Sequence, residues 1–282
     1  MKYLPEAEYE QGAFVLALGL FRIFLWAILR YFYKGNLYFD NLFIKVKPLS
    51  NSDRLFLRDN VLPYNDFSAE QRSRFDKRLQ WLKANKKFIF RGNITEPEEL
   101  KLFIGSAICL LTFGFNRFQL ARSVLRIVVY PTQYYSKINR RHHLGEYNPK
   151  LKVLVFSEDT LRAGFKIPND NKNLALHEVA HALCFETKGK NTWQERKFQY
   201  GLRALLKALN TEGFRENLQN NDYFREYAFE NIYEFFAVLT EVFIENLQEL
   251  HLKYPQLYRL ISTMYGFDIL NRKYMLKSGT GK

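Results

Sequence analysis

His177-Glu178-Val179-Ala180-His181 is the stretch that most restricts what this chain can become. At 3.6 residues per turn, histidines four apart project from one helical face, where two neutral imidazoles can take two corners of a tetrahedral zinc site. Glu178 lies between them, placed to reach a water activated by the metal rather than the metal itself. The flanks are helical and apolar: Leu174, Ala175, Leu176, Val179, Ala180, Ala182, Leu183 and Phe185 surround the motif, Asp170 to Asn173 offer capping residues and Gly189 a stop. Short motifs do arise by chance, and structural histidines satisfied within a core are the alternative. A buried helix must still satisfy two histidines and a carboxylate, because unpaired polar groups in a core cost free energy. A metal ion meets that demand.

Two histidines leave zinc one protein ligand short, with a further position open for water, and a carboxylate on a second helix is a usual supplier. The segment Tyr227 to Glu241, YAFENIYEFFAVLTE, offers two carboxylates on nearly one helical face. Glu234 is the expected ligand. Glu241 is its rival, or else an acceptor for a histidine N–H. Metzincins place glycine and a third histidine after the motif, where this chain has Cys184 and Thr187. Cys184 is expected to pack in the core rather than bind metal.

The rest of the chain must house this site. Its 282 residues, 47% hydrophobic with 26 Phe and 18 Tyr, suffice for one substantial core. Ser68 with Gln71 reads as a capping box opening a helix to Ala84, and Thr95 with Glu98 as another, with Pro97 in its first turn, opening a helix to Gly114. In the second, Leu100, Phe103, Ile104, Ala107, Ile108 and Leu111 recur at helical spacing. Val124 to Tyr130 and Leu151 to Phe156 read as strands. The basic loop between them, with Gly145 and Pro149, is long enough for an antiparallel excursion on the sheet. A strand just before the metal helix often walls a peptide-binding cleft with its free edge, and Leu151 to Phe156 holds that position. Cys109 and Cys184 are isolated, so no disulfide framework is expected and a reducing compartment fits.

The formal net charge is +13. Basic residues gather from Arg72 to Lys87 and from Lys137 to His143, but no nucleic-acid motif accompanies them, so no specific nucleic acid is expected. An anionic membrane surface accounts for the same charge. Ala13 to Tyr33 makes a helix of roughly 31 Å, the thickness of a bilayer core. Arg22 near its centre costs about 3 kcal/mol, which the apolar neighbours outweigh, and the basic flank that follows orients the remainder of the chain towards the cytoplasm. An interfacial helix, or a helix buried in a soluble cytoplasmic protein, is the alternative. The expected organisation is an acidic segment 1–12, a membrane helix 13–35, a linker 36–50, a metallopeptidase domain 51–271 and a tail 272–282.

HEVAHAL followed by ENIYEFFAVLTE resembles the zinc-dependent peptidases of the Mlc titration factor A type, whose motif helices are similar to those of anthrax lethal factor. The likeness extends from about residue 52 to 270 and leaves the N-terminal segment outside. It implies a zincin-like, gluzincin-type α+β fold, mainly helical with a small sheet, here with an N-terminal hydrophobic helix added. It also implies one zinc per chain on His177, His181 and Glu234, Glu178 as general base, a peptide or protein substrate, and Tyr227 as a donor to the developing oxyanion. Tyr223 and Tyr233 are alternatives for that last role, and a packing role for Tyr227 stays open. The same resemblance implies a second kind of partner, a transcriptional regulator that the protein would sequester.

Overall fold

The computed structural model describes residues 6–31, 46–136, 141–167, 169–211, 213–221, 223–271 and 273–274. The chain divides into two units, Met1–Ile44 and Lys45–Lys282. In the first, helix α1 spans Glu6–Tyr31, and Phe14, Leu16, Phe21, Ile23, Phe24 and Trp26 are all exposed. The bilayer span expected at 13–33 is not found there: among the described residues no helix is long and apolar enough to cross a membrane. Residues 32–45, Lys137 to Arg140 and 275–282, with most of the expected linker and tail, lie outside the described residues.

The second unit opens with helices. A reciprocal capping box between Ser50 and Asp53 starts α2 (Asn51–Asn60), α3 (Leu62–Asp66) follows, and Ser68 with Gln71 forms the expected box of α4 (Ala69–Asn85). The strand β1 (Lys87–Phe90) has no counterpart among the expected elements, because no turn residues separate it from the helix before. Helix α5 (Pro97–Leu111) begins at Pro97, but Glu96 is its N-cap in the left-handed region and makes no side-chain cap bond. Thr95 donates to the Glu158 carboxylate instead, so the second expected capping box does not form. Leu102, Cys109 and Leu110 are buried along with the helical stripe, which makes α5 a central helix rather than an amphipathic one.

Strands β2 (Arg126–Tyr130), β3 (Tyr134–Ser136), β4 (Arg141–His143), β5 (Gly145–Asn148) and β6 (Val153–Ser157) come next. The main sheet has the order β1-β2-β6-β5, while β3 and β4 pair with each other. β2 lies parallel to β1 and to β6, with Ile127 opposite Phe88 and Leu154. β5 is the antiparallel excursion. It also takes the free edge expected of Leu151 to Phe156: β6 is enclosed between β2 and β5, so the sheet edge on this side is Gly145–Asn148, with β1 at the opposite edge.

Helices α6 (Glu158–Lys166) and α7 (Leu174–Glu186) lead to a 3-10 turn at Thr187–Gly189, then to α8 (Trp193–Leu209) and α9 (Phe214–Asn220). A 3-10 turn at Glu226–Phe229 precedes α10 (Ile232–Glu245), α11 (Leu247–Lys253), α12 (Pro255–Tyr265) and the short pair β7 (Phe267–Asp268) and β8 (Lys273–Tyr274). This is a mainly helical α+β fold with a small mixed sheet. Its core forms where α7 packs on α5 and α10. Ala175, Ala180 and Ala182 let the neighbouring helices approach, and Phe235, Phe236 and Phe243 fill the space between. Burial of each such phenylalanine contributes about 1.5–3 kcal/mol. Cys109 and Cys184 are free and buried in it.

The end of α10 meets the start of α7. Burial, with the charges of Glu241 and Asp170 adding to it, pushes the Glu245 pKa up to about 8 despite a hydrogen bond from Asn173, and one carboxylate oxygen has no partner. A folded-state value above the unfolded one gives stability that is complete below about pH 4.5 and is lost as pH rises through 8. Glu245→Gln is therefore expected to raise stability at pH 9 by about 2 kcal/mol and to leave it nearly unchanged at pH 4. Urea unfolding at the two pH values checks this, and an equal effect at both would remove the burial penalty as the cause.

Candidate metal centre

The metal helix is fixed at both ends. At its start the Asn173 side chain accepts from the Leu176 N–H and donates to the Gly164 carbonyl, joining α7 to α6. At its end Glu186 accepts from both backbone N–H groups of Arg122 and Ser123 and from the Ser123 hydroxyl. Tyr147 of β5 donates to the Ser123 carbonyl as well, so the edge strand and α7 share one anchor. Gly145 allows the close approach of β5: a Cβ there would lie 2.6 Å from a Leu174 methyl.

Between these anchors α7 carries His177, Glu178 and His181. The expected helix Tyr227 to Glu241 breaks at Asn231, whose side chain accepts from the N–H groups of Tyr233 and Glu234 and so starts α10 one residue later. The break places Glu234 in the first turn of α10, opposite the motif histidines. His177 Nε2 is 3.1 Å from His181 Nε2 and 3.2 Å from Glu234 Oε2, and His181 Nε2 is 3.5 Å from Glu234 Oε1. A tetrahedral ion with ligand bonds of about 2.0–2.1 Å has ligand-to-ligand edges of about 3.3 Å. The two approaches to Glu234 end on different carboxylate oxygens, and one ligand atom from each side chain lies within 4.8 Å of the others, so a small inward movement forms one face of a zinc tetrahedron.

Tautomer and charge agree with that spacing. His177 Nδ1 lies 2.5 Å from Glu241 Oε1, and a carboxylate can only accept, so Nδ1 carries a proton and Nε2 is the ring atom turned towards His181 and Glu234. Burial opposes charge on His177, yet hydrogen bonds with Glu234 and Glu241 and the charge of Glu178 raise its pKa to about 10. Burial likewise opposes ionisation of Glu234, but the two histidines hold its carboxyl well below the usual range. The pocket is built for positive charge at this point. Glu241, 2% exposed, faces the opposite side of the ring from the cluster and is paired by Arg225. Among the described residues the grouping that could hold a metal ion is His177, His181 and Glu234, whereas Glu241 lies on the other side of the His177 ring.

Glu178 is 7% exposed. Burial raises its pKa, opposed by the charges of His177 and His181 and by a hydrogen bond from the Tyr147 backbone N–H. That N–H is available because of the strand register. The Ser157 N–H donates to the Leu144 carbonyl, so alternate pairs, Glu146 with Val155 and Asn148 with Val153, are the ones bonded across to β6. The N–H and C=O groups of Gly145 and Tyr147 then point outward from the sheet.

These groups open on a cleft of about 630 Å³ lined by β5 residues, His177, Glu178, His181, Tyr227, Glu230 and Glu234. Tyr227 sits in the 3-10 turn rather than on the expected helix, with its hydroxyl 3.2 Å from His177 Nδ1. That is the side of the ring away from the three converging atoms. Tyr223 is packed against Phe224 and Tyr254, and Cys184 is fully buried outside the cluster. Glu146, Glu178, Glu230 and Glu234 line the cleft with Lys150 and three histidines, a more acidic lining than the basic chain as a whole.

Sequence reasoning misses Tyr147, which acts through its backbone, and Arg225. No spacing rule connects Arg225 to Glu241 across the Asn231 break.

The chain is 25% identical over 238 residues to an uncharacterized protein of Synechocystis sp., slr2042, covering 79% of this chain and 86% of that one. Residues 39–266, which include the whole site, match the family described as glucose-regulated metallo-peptidase M90. The chain therefore belongs to the glucose-regulated metallo-peptidase M90 family.

Proposed function

We propose that this protein is a zinc-dependent peptidase with one zinc per chain, held by His177, His181 and Glu234. The observation that carries the reading is the convergence of these three side chains, one ligand atom from each lying within 4.8 Å of the others, with His177 Nδ1 held by Glu241 so that Nε2 faces the cluster. Zinc supplies acidified water and polarisation of the scissile carbonyl. Glu178, oriented by the Tyr147 N–H, takes the proton from the attacking water and delivers it to the leaving amine. Burial keeps the Tyr227 phenol protonated, a donor for the developing oxyanion once it turns away from His177. An extended peptide pairs with the outward N–H and C=O of Gly145 and the C=O of Tyr147, adding a strand to β5. Backbone pairing of this kind accepts many sequences, and side chains of the cleft choose among them.

Membrane attachment through the exposed apolar face of α1 is part of the same proposal, with the second unit in the reducing cytoplasm where Cys109 and Cys184 stay free. Elemental analysis of the full chain is expected to give one zinc per protein, and a peptide library is expected to be hydrolysed by the holoprotein but not after chelation. Absence of zinc after reconstitution would overturn the peptidase reading.

A further inference from the structure

A second concave surface lies on the α2 and α4 helices and shares no residue with the metal cleft. It is a hollow of about 530 Å³ bordered by Arg54, Arg58, Arg72 and Lys77, with Asp76 within it. Asp76 is already engaged: it accepts from Arg54 Nε at 3.1 Å and from the Tyr64 hydroxyl at 2.9 Å. Arg58, Arg72 and Lys77 have no acidic partner among the described residues. Four cations facing one carboxylate repel one another, and an anion in the hollow relieves that repulsion.

We propose that this hollow seats the phosphate headgroups of an anionic lipid surface. Two observations favour lipid over other phosphates. The hollow is carried by α2 and α4, which follow the exposed apolar helix α1 in the chain. A single apolar attachment is reversible, and a basic patch is the usual second contribution that makes it lasting. The one aromatic residue lining the hollow, Tyr64, is 2% exposed and offers no platform on which a nucleic-acid base can stack. The inference rests on the membrane attachment described above and gives it a site.

The test uses the full chain with phosphatidylcholine vesicles, with and without phosphatidylglycerol. Binding to neutral vesicles reads the contribution of α1, and the increment given by phosphatidylglycerol reads the hollow. The increment is expected to fall with salt and to shrink roughly fivefold for each cation removed, so that Arg58→Gln/Arg72→Gln/Lys77→Gln nearly abolishes it while zinc content is unchanged. Lys77→Glu alone, at an exposed position, is expected to move it in the same direction. An increment that survives the triple substitution, or no increment in the unaltered protein, overturns the proposal. So does saturation of the hollow by inorganic phosphate that leaves vesicle binding untouched. Loss of neutral-vesicle binding with the increment intact removes the α1 attachment and leaves the hollow standing.

Discussion

Glu178→Gln is expected to leave one zinc bound per chain while lowering kcat for peptide hydrolysis by about 10²–10⁴-fold. The substitution keeps the shape of the side chain, and the amide oxygen can still accept from the Tyr147 N–H that now holds the carboxylate. His177, His181 and Glu234 are untouched, so the spacing suited to zinc persists. What disappears is the capacity to take a proton. Because Glu178 is 7% exposed and its pKa is raised by burial, removing its charge is not expected to destabilise the fold. Zinc stoichiometry, unfolding temperature and kcat measured on one preparation separate the outcomes. Zinc retained with full activity would exclude Glu178 from the chemistry, whereas zinc lost would give it a structural part in holding the site.

That substitution concerns the portion of the protein most legible in its sequence. His177, Glu178 and His181 are found by helical spacing alone, since a local period fixes which side chains share a face. Glu234 is legible for a related reason: a carboxylate within an apolar helix, beside Phe235 and Phe236, needs a partner. Its preference over Glu241 is not local. It depends on which side of the His177 ring each carboxylate reaches, which the Asn231 cap decides by ending one helical segment and starting another. The sheet was partly legible. Val124 to Tyr130 and Leu151 to Phe156 carry strand composition, but β1 hides behind a helix without a turn, and the free edge passes to β5, four residues containing one glycine. Edge and interior are properties of the assembled sheet. The Tyr147 N–H contact with Glu178 follows from that edge and from no property of tyrosine. The apolar run at 13–33 shows the converse limit, since composition alone assigns a bilayer span that the described residues do not supply.

Glu241→Ala is the second substitution with a large expected effect, although Glu241 is not among the three converging side chains. It is 2% exposed, lies 2.5 Å from His177 Nδ1 and pairs with Arg225, whose guanidinium also sits over the Tyr227 ring at 5.0 Å. Its carboxylate fixes the His177 tautomer, sets the ring plane and makes Nε2 more basic. Without it the Nδ1 proton loses its acceptor, the ring can turn, and Arg225 is left as an unpaired charge that is partly buried. Zinc affinity is expected to fall roughly 10–100-fold, with stability lowered as well. Glu241→Gln keeps an acceptor and is expected to lose less affinity. Competition with a chelator of known affinity measures both, and Glu234→Ala in parallel distinguishes ligand from support. If Glu241 acts through His177, Glu234→Ala weakens zinc more than Glu241→Gln does. The reverse order would make Glu241 the ligand and require α10 to rotate in the metal-bound protein.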